Sequence, residues 1–588
     1  MCGIIGYIGE KHPIDILLNG LKNLEYRGYD SAGIALKNNE DIQIIKSVGK
    51  ISNLEEKIKN TNLIDCKAGI AHTRWATHGE PSEINAHPHQ VGKITLVHNG
   101  IIENASILRE KLNNLGIVLK SETDTEVACA LINYYYQDDI LEAIEKTLQE
   151  IKGSYALGII VDGNPNLYAV RKDSPLIVGI GEKEFFIASD IAAIIDYTNE
   201  YILLEENEIA ILKPNAYQIM KNHHEIMKKV EKTNLKSEAK DKCGYDHYML
   251  KEIMEEPGVL ERTLRPYLNG LESLPDLTDY EEIHIVACGS AMYAGMIGKT
   301  LIEENANIKC TVECASEYRY KKVIYDRKTL VILISQSGET ADTIAAMRKA
   351  KDNKVPTLAI VNVKTSTIAR ESDLQLFIEA GPEIAVATTK AYLLQVAMLA
   401  LLSMKATMKK HQIEINLAQE IEKLITSLKE ILNNRETYLE LAKKIYNHED
   451  IFFIGRKIDY SICLEGSLKL KEVSYIHSEA YQAGELKHGT ISLINPETPV
   501  IAVITDEQIK EKTISNVEEV KSRGAYVIVI SNEEYTNCDF NITVPKTNDF
   551  LQPILVVPTL QLLAYEVAKL RGCDIDKPKN LAKSVTVE

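Results

Sequence analysis

The sequence predicts a multidomain α/β protein, in which a sheet sandwich flanked by helices is followed by two doubly wound α/β domains. Three observations lead to this prediction. Alternating Val, Ile and Tyr residues with Gly and Asn-Gly breaks fill the N-terminal part, and a polar, Lys-rich stretch at 228–242 has no apolar period. Beyond it, short apolar strand patterns separated by long helical patterns occur twice. A chain of 588 residues is long enough to bury several cores.

Each predicted element depends on its local pattern. In the N-terminal part, the alternation predicts strands at 4–8, 31–36, 68–72 and 94–98, a helix at 125–136, and further strands from residue 155. These patterns divide the chain into an N-terminal domain at 1–227, a linker at 228–245, two α/β domains at 246–415 and 416–575, and a tail at 576–588.

The second half of the sequence repeats itself. Apolar, β-branched runs typical of buried parallel strands lie at 283–287, 330–334 and 357–361, and the series returns about 168 positions later at 451–455, 500–505 and 526–531. Doubly wound folds bind ligands at the carboxyl ends of their strands. The first copy carries hydroxyl groups there, whereas the carboxylates of 505–507 in the second copy would repel a phosphate, so we expect an anion site only in the first.

Composition narrows the class of protein. The net charge of −17 argues against a nucleic-acid partner, because a phosphate backbone would be repelled. The longest apolar stretch, 391–404, is too short to cross a bilayer, and no export signal is visible, so we expect a cytoplasmic protein with no membrane span. The ten cysteines are scattered without a Cys-x-x-Cys pair, which favours a reducing compartment. Neither a metal nor a cofactor is expected.

Cys2 is the strongest candidate for a nucleophile. Removal of Met1 would place its thiol and a free α-amine on one carbon, and an amine with a pKa of about 7.7 to 8.0 can accept the thiol proton at neutral pH. The alternative is a small apolar residue that opens a strand.

Further residues supply the other parts of an amide-hydrolysing site. Asn99 and Gly100 could donate two N–H groups to an oxyanion, although Asn-Gly is also typical of a hairpin turn. Arg74 can hold an α-carboxylate. Asp124 can hold an α-ammonium, unless it only caps a helix N-terminus. Together with Cys2, these groups predict a glutamine site.

These motifs resemble a known family. Cys-Gly-Ile-Ile-Gly at 2–6 and the segments 25–33, 72–79, 85–88 and 98–100 look like the N-terminal-nucleophile glutaminase domain of class II amidotransferases. The whole chain is similar to the family of glutamine:fructose-6-phosphate aminotransferases (isomerising), or glucosamine-6-phosphate synthases, whose second half is a pair of sugar isomerase (SIS) domains. The resemblance implies an αββα glutaminase sandwich followed by two doubly wound α/β SIS domains.

The resemblance implies roles in the glutaminase half. Cys2 would attack the glutamine amide while Asn99 and Gly100 hold the oxyanion, and Trp75 would gate the ammonia. The implied glutamine-binding residues are Arg74, Thr77, His78 and Asp124.

The second half contains a predicted phosphate cradle. Ser335, Ser337 and Thr340 place three hydroxyls at a helix N-terminus, where a sugar phosphate is favoured, although such a turn can also lack a ligand. The family pattern supports this role. It adds further residues of the sugar-phosphate site: Ser290, Gln336, Glu383, Val386, Lys469 and Ala582. Some relatives carry a hydroxyl where this chain has Ala291, so no hydrogen bond is expected from that position.

Three residues are implied to perform the sugar chemistry. Glu472 would move a proton between carbons 1 and 2, although its spacing from Lys469 is also that of an exposed ion pair. His488 would open the sugar ring, although a histidine in a loop is more often only solvated. Lys583, in a tail that would otherwise be frayed, would form a Schiff base with the open-chain ketose.

The implied reaction transfers the amide nitrogen of glutamine, as channelled ammonia, to fructose 6-phosphate and isomerises the product to glucosamine 6-phosphate, the first step of hexosamine biosynthesis. A homodimer is implied, in which His488 could act in a neighbour's site. Two alternative functions are considered. Another class II amidotransferase, such as an asparagine synthetase, needs a pyrophosphate loop whose motif is absent from the sequence. A sugar-phosphate sensor would have no need of Cys2, Glu472 or Lys583.

Overall fold

The computed structural model describes residues 2–25, 28–38, 41–76, 78–233, 242–326 and 328–586. The chain divides into two compact units, Met1–Asp241 with Ser584–Glu588, and Lys242–Lys583.

The first unit consists of antiparallel strands and a smaller number of helices. Its strands are β1 (Gly3–Gly9), β2 (Ser31–Lys37), β3 (Ile42–Val48), β4 (Ala68–Arg74), β5 (His89–Val91), β6 (Ile94–Ile102), β7 (Gly153–Val161), β8 (Leu167–Lys172), β9 (Ile177–Gly181), β10 (Glu184–Ala188), β11 (Glu200–Leu203), β12 (Ile209–Lys213), β13 (Ala216–Lys221), β14 (His224–Glu225) and β15 (Glu231–Lys232). Its helices are α1 (Ile14–Leu24), α2 (Ile51–Lys59), α3 (Ala105–Asn114), α4 (Asp124–Tyr135) and α5 (Ile140–Glu150).

These strands form a sandwich within the described part of the unit. One sheet has the order β15-β11-β9-β10-β1-β4-β2-β3 and the other β14-β13-β12-β8-β7-β6-β5. Apolar side chains of both sheets, such as Ile4 and Val97, share one buried core. Helices α1 and α2 cover the outer face of the first sheet, and α3 to α5 cover that of the second. The layers therefore follow the αββα order, and each sheet buries both of its faces.

The second unit contains parallel strands and long helices. Its strands are β16 (Glu282–Ala287), β17 (Lys309–Cys314), β18 (Thr329–Ser335), β19 (Thr357–Val361), β20 (Leu374–Phe377), β21 (Asp450–Gly455), β22 (His477–Gln482), β23 (Pro499–Ile504), β24 (Tyr526–Ser531) and β25 (Phe540–Thr543). Its helices are α6 (Tyr248–Met254), α7 (Glu256–Leu264), α8 (Ser290–Ala306), α9 (Ala315–Tyr318), α10 (Ala341–Asp352), α11 (Thr367–Glu371), α12 (Lys390–His411), α13 (Leu417–Asn433), α14 (Arg435–Ile445), α15 (Ile458–Ser474), α16 (Lys510–Lys521) and α17 (Gln552–Leu570).

The two parallel sheets of this unit, as far as the described residues extend, have the same topology. Their strand orders are β17-β16-β18-β19-β20 and β22-β21-β23-β24-β25. Each order is the doubly wound sequence 2-1-3-4-5, in which the first and third strands lie side by side and their connections leave in opposite directions. The carboxyl ends of β16 and β18 therefore form the crevice where this fold binds ligands.

Two apolar helices pack in the interior of the second unit. Among the described residues, α12 and α17 are long and apolar enough to span a membrane by length and composition, and 89% of each apolar window is buried inside the protein. The helix α12 has 22 residues and therefore extends beyond the apolar run 391–404, which by itself is too short to span a bilayer. Buried core helices can also be this long and this apolar, and the burial of α12 and α17 is typical of core helices.

Candidate active sites

The first candidate site surrounds Cys2, which directly precedes β1. The backbone N–H of Trp75 donates to Cys2 Sγ at 3.3 Å, and Sγ lies 3.5 Å from the Trp75 carbonyl oxygen. Burial raises the pKa of the Cys2 thiol. Because the thiolate is the nucleophilic form, this site needs a base to accept the thiol proton.

Asn99 and Gly100 lie inside β6 and pair with Ala156 and Tyr155 of β7, so the hairpin-turn alternative is wrong. The Asn99 side-chain amide donates from Nδ2 to the Cys2 carbonyl at 3.0 Å. Gly100 has φ +141°, and a Cβ at this position would lie 2.1 Å from the Ser154 carbonyl oxygen. Only glycine fits there, and the Asn99 amide contacts the backbone of Cys2, the residue that carries the predicted nucleophile.

Arg74 is the last residue of β4, and its guanidinium is buried. It donates to the carbonyls of His78, of Gly79 at 3.0 Å and of Glu80 at 3.4 Å. These contacts fold the loop after β4 around the guanidinium, which has five N–H groups in all. His78 is half-buried in that loop, and Thr77 lies outside the described residues.

Asp124 is also buried, at the start of α4. The helix cap is Thr123, whose hydroxyl accepts from the Glu126 N–H, so the alternative that Asp124 is the cap is wrong. Asp124 Oδ2 instead accepts from the Ile102 N–H at 2.8 Å and lies 4.0 Å from His98 Nδ1. Burial lowers the pKa of His98 even beside this carboxylate. The Asp124 carboxylate is therefore a buried negative group held between the β6 backbone and the His98 ring.

The second candidate site is the loop that follows β18, at the crevice of the first parallel sheet. Ser335 ends β18, and its Oγ lies 3.0 Å from Thr340 Oγ1 and accepts from the Gly338 N–H at 3.0 Å. Gly338 has φ +66°, and a Cβ there would lie 1.9 Å from Ser366 Oγ. Gln336 and Ser337, both half-buried, complete the loop. Since α10 begins directly after Thr340, the hydroxyls lie at a helix N-terminus, which favours an anion.

Helix α15 of the second sheet packs against α8, which begins at Ser290 beside this loop. Lys469 Nζ lies 2.5 Å from Glu472 and 3.5 Å from Glu465. The Lys469 side chain is only 1% exposed, so the alternative of an exposed ion pair is wrong for it. Burial opposes its charge, but the two carboxylates raise the pKa of Lys469. Burial raises the pKa of Glu465 to about 7, against the opposite effects of Lys469 and Ser290.

Lys583 is held by Glu383 in a buried ion pair. Its Nζ lies 2.5 Å from Glu383 Oε2, and the side chains are 4% and 0% exposed. Glu383 also accepts from the Thr388 hydroxyl at 2.8 Å and from the Thr389 N–H at 3.0 Å. Although burial acts in the opposite direction, the Lys583 ammonium lowers the pKa of Glu383 to about 2. The tail is therefore anchored at Lys583, beside half-buried Ala582.

Val386 belongs to the same loop as Glu383, and its N–H donates to the Asp576 carbonyl at 3.0 Å. A further buried carboxyl group, which the sequence interpretation missed, supports this loop. Glu252 accepts from the N–H groups of Ile384 and, at 3.2 Å, Ala385. Burial raises the pKa of Glu252 to about 8. The residues next to Glu252 in the sequence do not indicate its contact with the loop at 384–385.

His488 lies far from Glu472 within the chain. Glu472 is near the C-terminal end of α15, which runs from the carboxyl edge of the second sheet to the opposite edge. Strand β22 then returns to the carboxyl edge, where His488 is exposed at the end of the 3₁₀ turn Ala483–His488. The two residues are thus separated by most of the length of α15, roughly 20 Å.

Comparison with known proteins decides the family. A glutamine amidotransferase domain model matches residues 72–196, and a SIS domain model matches 276–405 and 444–571. Glutamine–fructose-6-phosphate aminotransferases (isomerizing) of Clostridium tetani and Caldanaerobacter subterraneus are 47% and 48% identical, over 100% of this chain and 100% of each relative. The chain belongs to the glutamine–fructose-6-phosphate aminotransferase (isomerizing) family.

A solved structure of this aminotransferase family agrees. The C-terminal domain of glucosamine-fructose-6-phosphate aminotransferase from Francisella tularensis is 36% identical and matches with a TM-score of 0.53, over 57% of this chain and 99% of that one. The expected fold class, a glutaminase sandwich followed by two SIS domains, is confirmed.

The chain is therefore an enzyme that transfers the amide nitrogen of glutamine to fructose 6-phosphate and isomerises the product to glucosamine 6-phosphate. The sensor and asparagine-synthetase alternatives are wrong, because the full-length relatives are aminotransferases and the second half matches two SIS domains.

Proposed function

We propose that Cys2, freed of Met1, is the nucleophile that hydrolyses glutamine in this aminotransferase. Its thiolate attacks the amide carbon, Asn99 and Gly100 donate to the oxyanion, and ammonia leaves as a thioester forms; water then releases glutamate. The contact between the Asn99 amide and Cys2, at 3.0 Å, is the observation that carries this assignment. The residues proposed to hold glutamine are Arg74, Thr77, His78 and Asp124.

The released ammonia is proposed to reach the sugar without entering solvent, with Trp75 as the gate. Protonation in water would remove the lone pair that attacks the sugar carbon. The charge of the ammonium ion, once formed, would also oppose its entry into an apolar passage.

At the sugar site, the Lys583 amine is proposed to attack carbon 2 of the open-chain ketose and to expel water, giving a Schiff base. Ammonia then displaces the lysine, and Glu472 moves a proton from carbon 1 to carbon 2 while Lys469 stays paired with it. Glu383 holds Lys583 before the sugar arrives. The residues proposed to bind the sugar phosphate and its chain are Ser290, Ser335, Gln336, Ser337, Thr340, Glu383, Val386, Lys469 and Ala582.

The proposed assembly is a cytoplasmic homodimer without a nucleic-acid or membrane partner. His488 is exposed and remote from Glu472 in its own chain, which supports a role in the site of the other subunit. Sedimentation of the purified protein tests the dimer. The proposed domain boundaries are 1–227, 228–245, 246–415, 416–575 and 576–588.

The decisive experiment supplies fructose 6-phosphate, amide-labelled ¹⁵N-glutamine and an excess of unlabelled ammonium to the purified enzyme. Glucosamine 6-phosphate that carries ¹⁵N despite the excess would support a transfer without release. Unlabelled product would contradict the transfer while leaving the glutaminase assignment intact.

Two variants localise the nucleophile. Cys2→Ala should abolish glutamine-dependent product, because it removes the attacking sulfur. Cys66→Ala is the matched control, since it removes a buried thiol of the same unit that lies 3.7 Å from His12. Retained glutamine turnover in Cys2→Ala would contradict the assignment.

A further inference from the structure

The orientation of the Asn99 amide decides whether it can stabilise an oxyanion. An amide side chain can face two ways, and only the orientation with Nδ2 toward Cys2 offers a donor. In the structure, Nδ2 donates to the Cys2 carbonyl at 3.0 Å, while Oδ1 lies 3.1 Å from His72 Nε2. Since Nδ2 carries two hydrogens, the second can be donated to an oxyanion at the Cys2 sulfur.

The carbonyl of His98 fixes the tautomer of His72. This oxygen, which can only accept, lies 2.9 Å from His72 Nε2, so that nitrogen must carry a hydrogen. Burial lowers the pKa of His72 to about 3, so the ring is neutral and Nδ1 has no hydrogen. The Nε2–H is therefore directed at two acceptors, the His98 carbonyl and Asn99 Oδ1. If Asn99 were reversed, its NH₂ group would face this N–H and two donors would meet.

The His72 ring is itself held in place. Its side chain is 0% exposed, and the His87 ring stacks on it with 4.1 Å between the ring centroids. His87 Nδ1 in turn accepts from the His98 N–H at 3.4 Å, so the same backbone segment contacts both rings. This packing keeps His72 from turning its Nε2–H away from Asn99.

We propose that His72 is a positioning residue for glutamine hydrolysis: it orients the Asn99 amide so that Nδ2 faces the oxyanion. The inference rests on the proposed roles of Cys2 and Asn99. The polar partners of His72 are the His98 carbonyl and Asn99 Oδ1, so its effect on the nucleophile is transmitted through Asn99. Burial lowers the pKa of His72 to about 3, so the ring is neutral at pH 7.

Four variants test the proposal. His72→Phe keeps a flat ring but removes the donor, whereas His72→Gln keeps an N–H group near the position of Nε2. Asn99→Ala removes the oxyanion donor itself, and the His72→Phe/Asn99→Ala double variant completes a cycle. The thermal melting curve checks that each variant is folded; His72→Leu replaces His72→Phe if the latter cannot be purified.

Asn99→Ala should lower kcat for glutamine hydrolysis about 10²- to 10³-fold, the usual cost of one oxyanion donor. His72→Phe should lower kcat about 10-fold or more with KM nearly unchanged, because a misaligned donor affects the transition state alone. His72→Gln should recover most of the rate. The double variant should be no slower than Asn99→Ala. Alkylation of Cys2 by iodoacetamide, which needs the thiolate but no oxyanion donor, should keep its wild-type rate in His72→Phe.

The failures are distinguishable. If Asn99→Ala leaves kcat unchanged, the proposed function of Asn99 is wrong. If Asn99→Ala is slow but His72→Phe is not, the proposal for His72 is overturned. It is also overturned if His72→Phe and His72→Gln are equally slow and both slow the alkylation, because His72 would then serve only the packing around Cys2.

Discussion

The two parallel sheets of the second unit share one topology but differ at their carboxyl edges. After β18, the first copy has a loop whose hydroxyls and helix N-terminus are arranged for an anion. After β23, the second copy instead has a buried carboxylate that accepts hydrogen bonds from the loop. Asp459, only 1% exposed, accepts from the Thr505 N–H at 2.8 Å, the Thr505 hydroxyl at 2.5 Å and the Asp506 N–H at 3.2 Å.

The two copies differ at the second position of the helix that follows their first strand. Asp459 is the second residue of α15, and the second residue of α8 is Ala291. The Asp459 carboxylate accepts from backbone N–H groups of the loop that follows β23, so the second edge is satisfied internally. The second copy contributes instead through the other end of α15, which carries Lys469 and Glu472. With the proposed roles, the first copy binds the sugar phosphate and the second copy supplies the helix that carries the proton-transferring carboxylate.

The largest effect is expected from the helix of the second copy. Glu472→Gln should lower kcat for glucosamine 6-phosphate formation about 10²- to 10⁴-fold, because the amide cannot accept the carbon-bound proton. Product formation under saturating substrates measures this loss. Lys471→Met, at the exposed neighbouring position of α15, is the control and should retain the wild-type rate. An active Glu472→Gln enzyme would mean that the second copy supplies no base.

Ala291→Asp should make the first edge resemble the second. The new carboxylate would accept from the loop after β18 and repel the phosphate, raising KM for fructose 6-phosphate about 10- to 100-fold, the range for lost hydrogen bonds to a charged group. Ala291→Asn has the same shape without the charge and should raise KM much less. Equal KM values for the two variants would show that charge at this helix position does not separate the copies.

The third effect concerns stability, not activity, at the second edge. Burial raises the pKa of Asp459 from 3.8 to about 6. Because the folded protein holds this proton more tightly than the unfolded chain, the associated stability is present below pH 4 and is lost as the pH rises through 6. The loss amounts to roughly 3 kcal/mol. Asp459→Asn removes this dependence, so its Tm relative to wild type should rise between pH 4 and pH 7. Parallel curves of Tm against pH would contradict the assignment.

Much of the fold could be predicted because buried parallel strands have a local signature. The run 283–287 matches β16 and 526–531 matches β24, since strands covered on both faces must be apolar throughout. The strand order depends on pairing between distant segments, so no local pattern reveals it. For the same reason, the position of Asn99 and Gly100 inside β6 could not be distinguished from a hairpin turn.

Part of the candidate site could also be predicted, because some of its residues have a local sequence signal. Hydroxyls after a strand indicate an anion cradle without knowledge of the rest of the fold. Glu465 carried one signal, because it lies four residues before Lys469 and therefore on the same helix face. Glu252 and Asp459 act on loops far away in sequence, and only packing shows their partners. The separation of His488 from Glu472 likewise follows from the direction of α15.

The pair between Lys583 and Glu383 bears on chemical selectivity. A buried primary amine is a hazard in a cell that contains many aldehydes and ketones, because any of them can condense with it. An ammonium paired at 2.5 Å with a carboxylate has no lone pair to offer, so a stray carbonyl compound meets an inert group. A ligand that the site binds well enough to disturb the pair can release the amine. For as long as the pair with Glu383 lasts, the Lys583 amine is therefore unreactive toward carbonyl compounds.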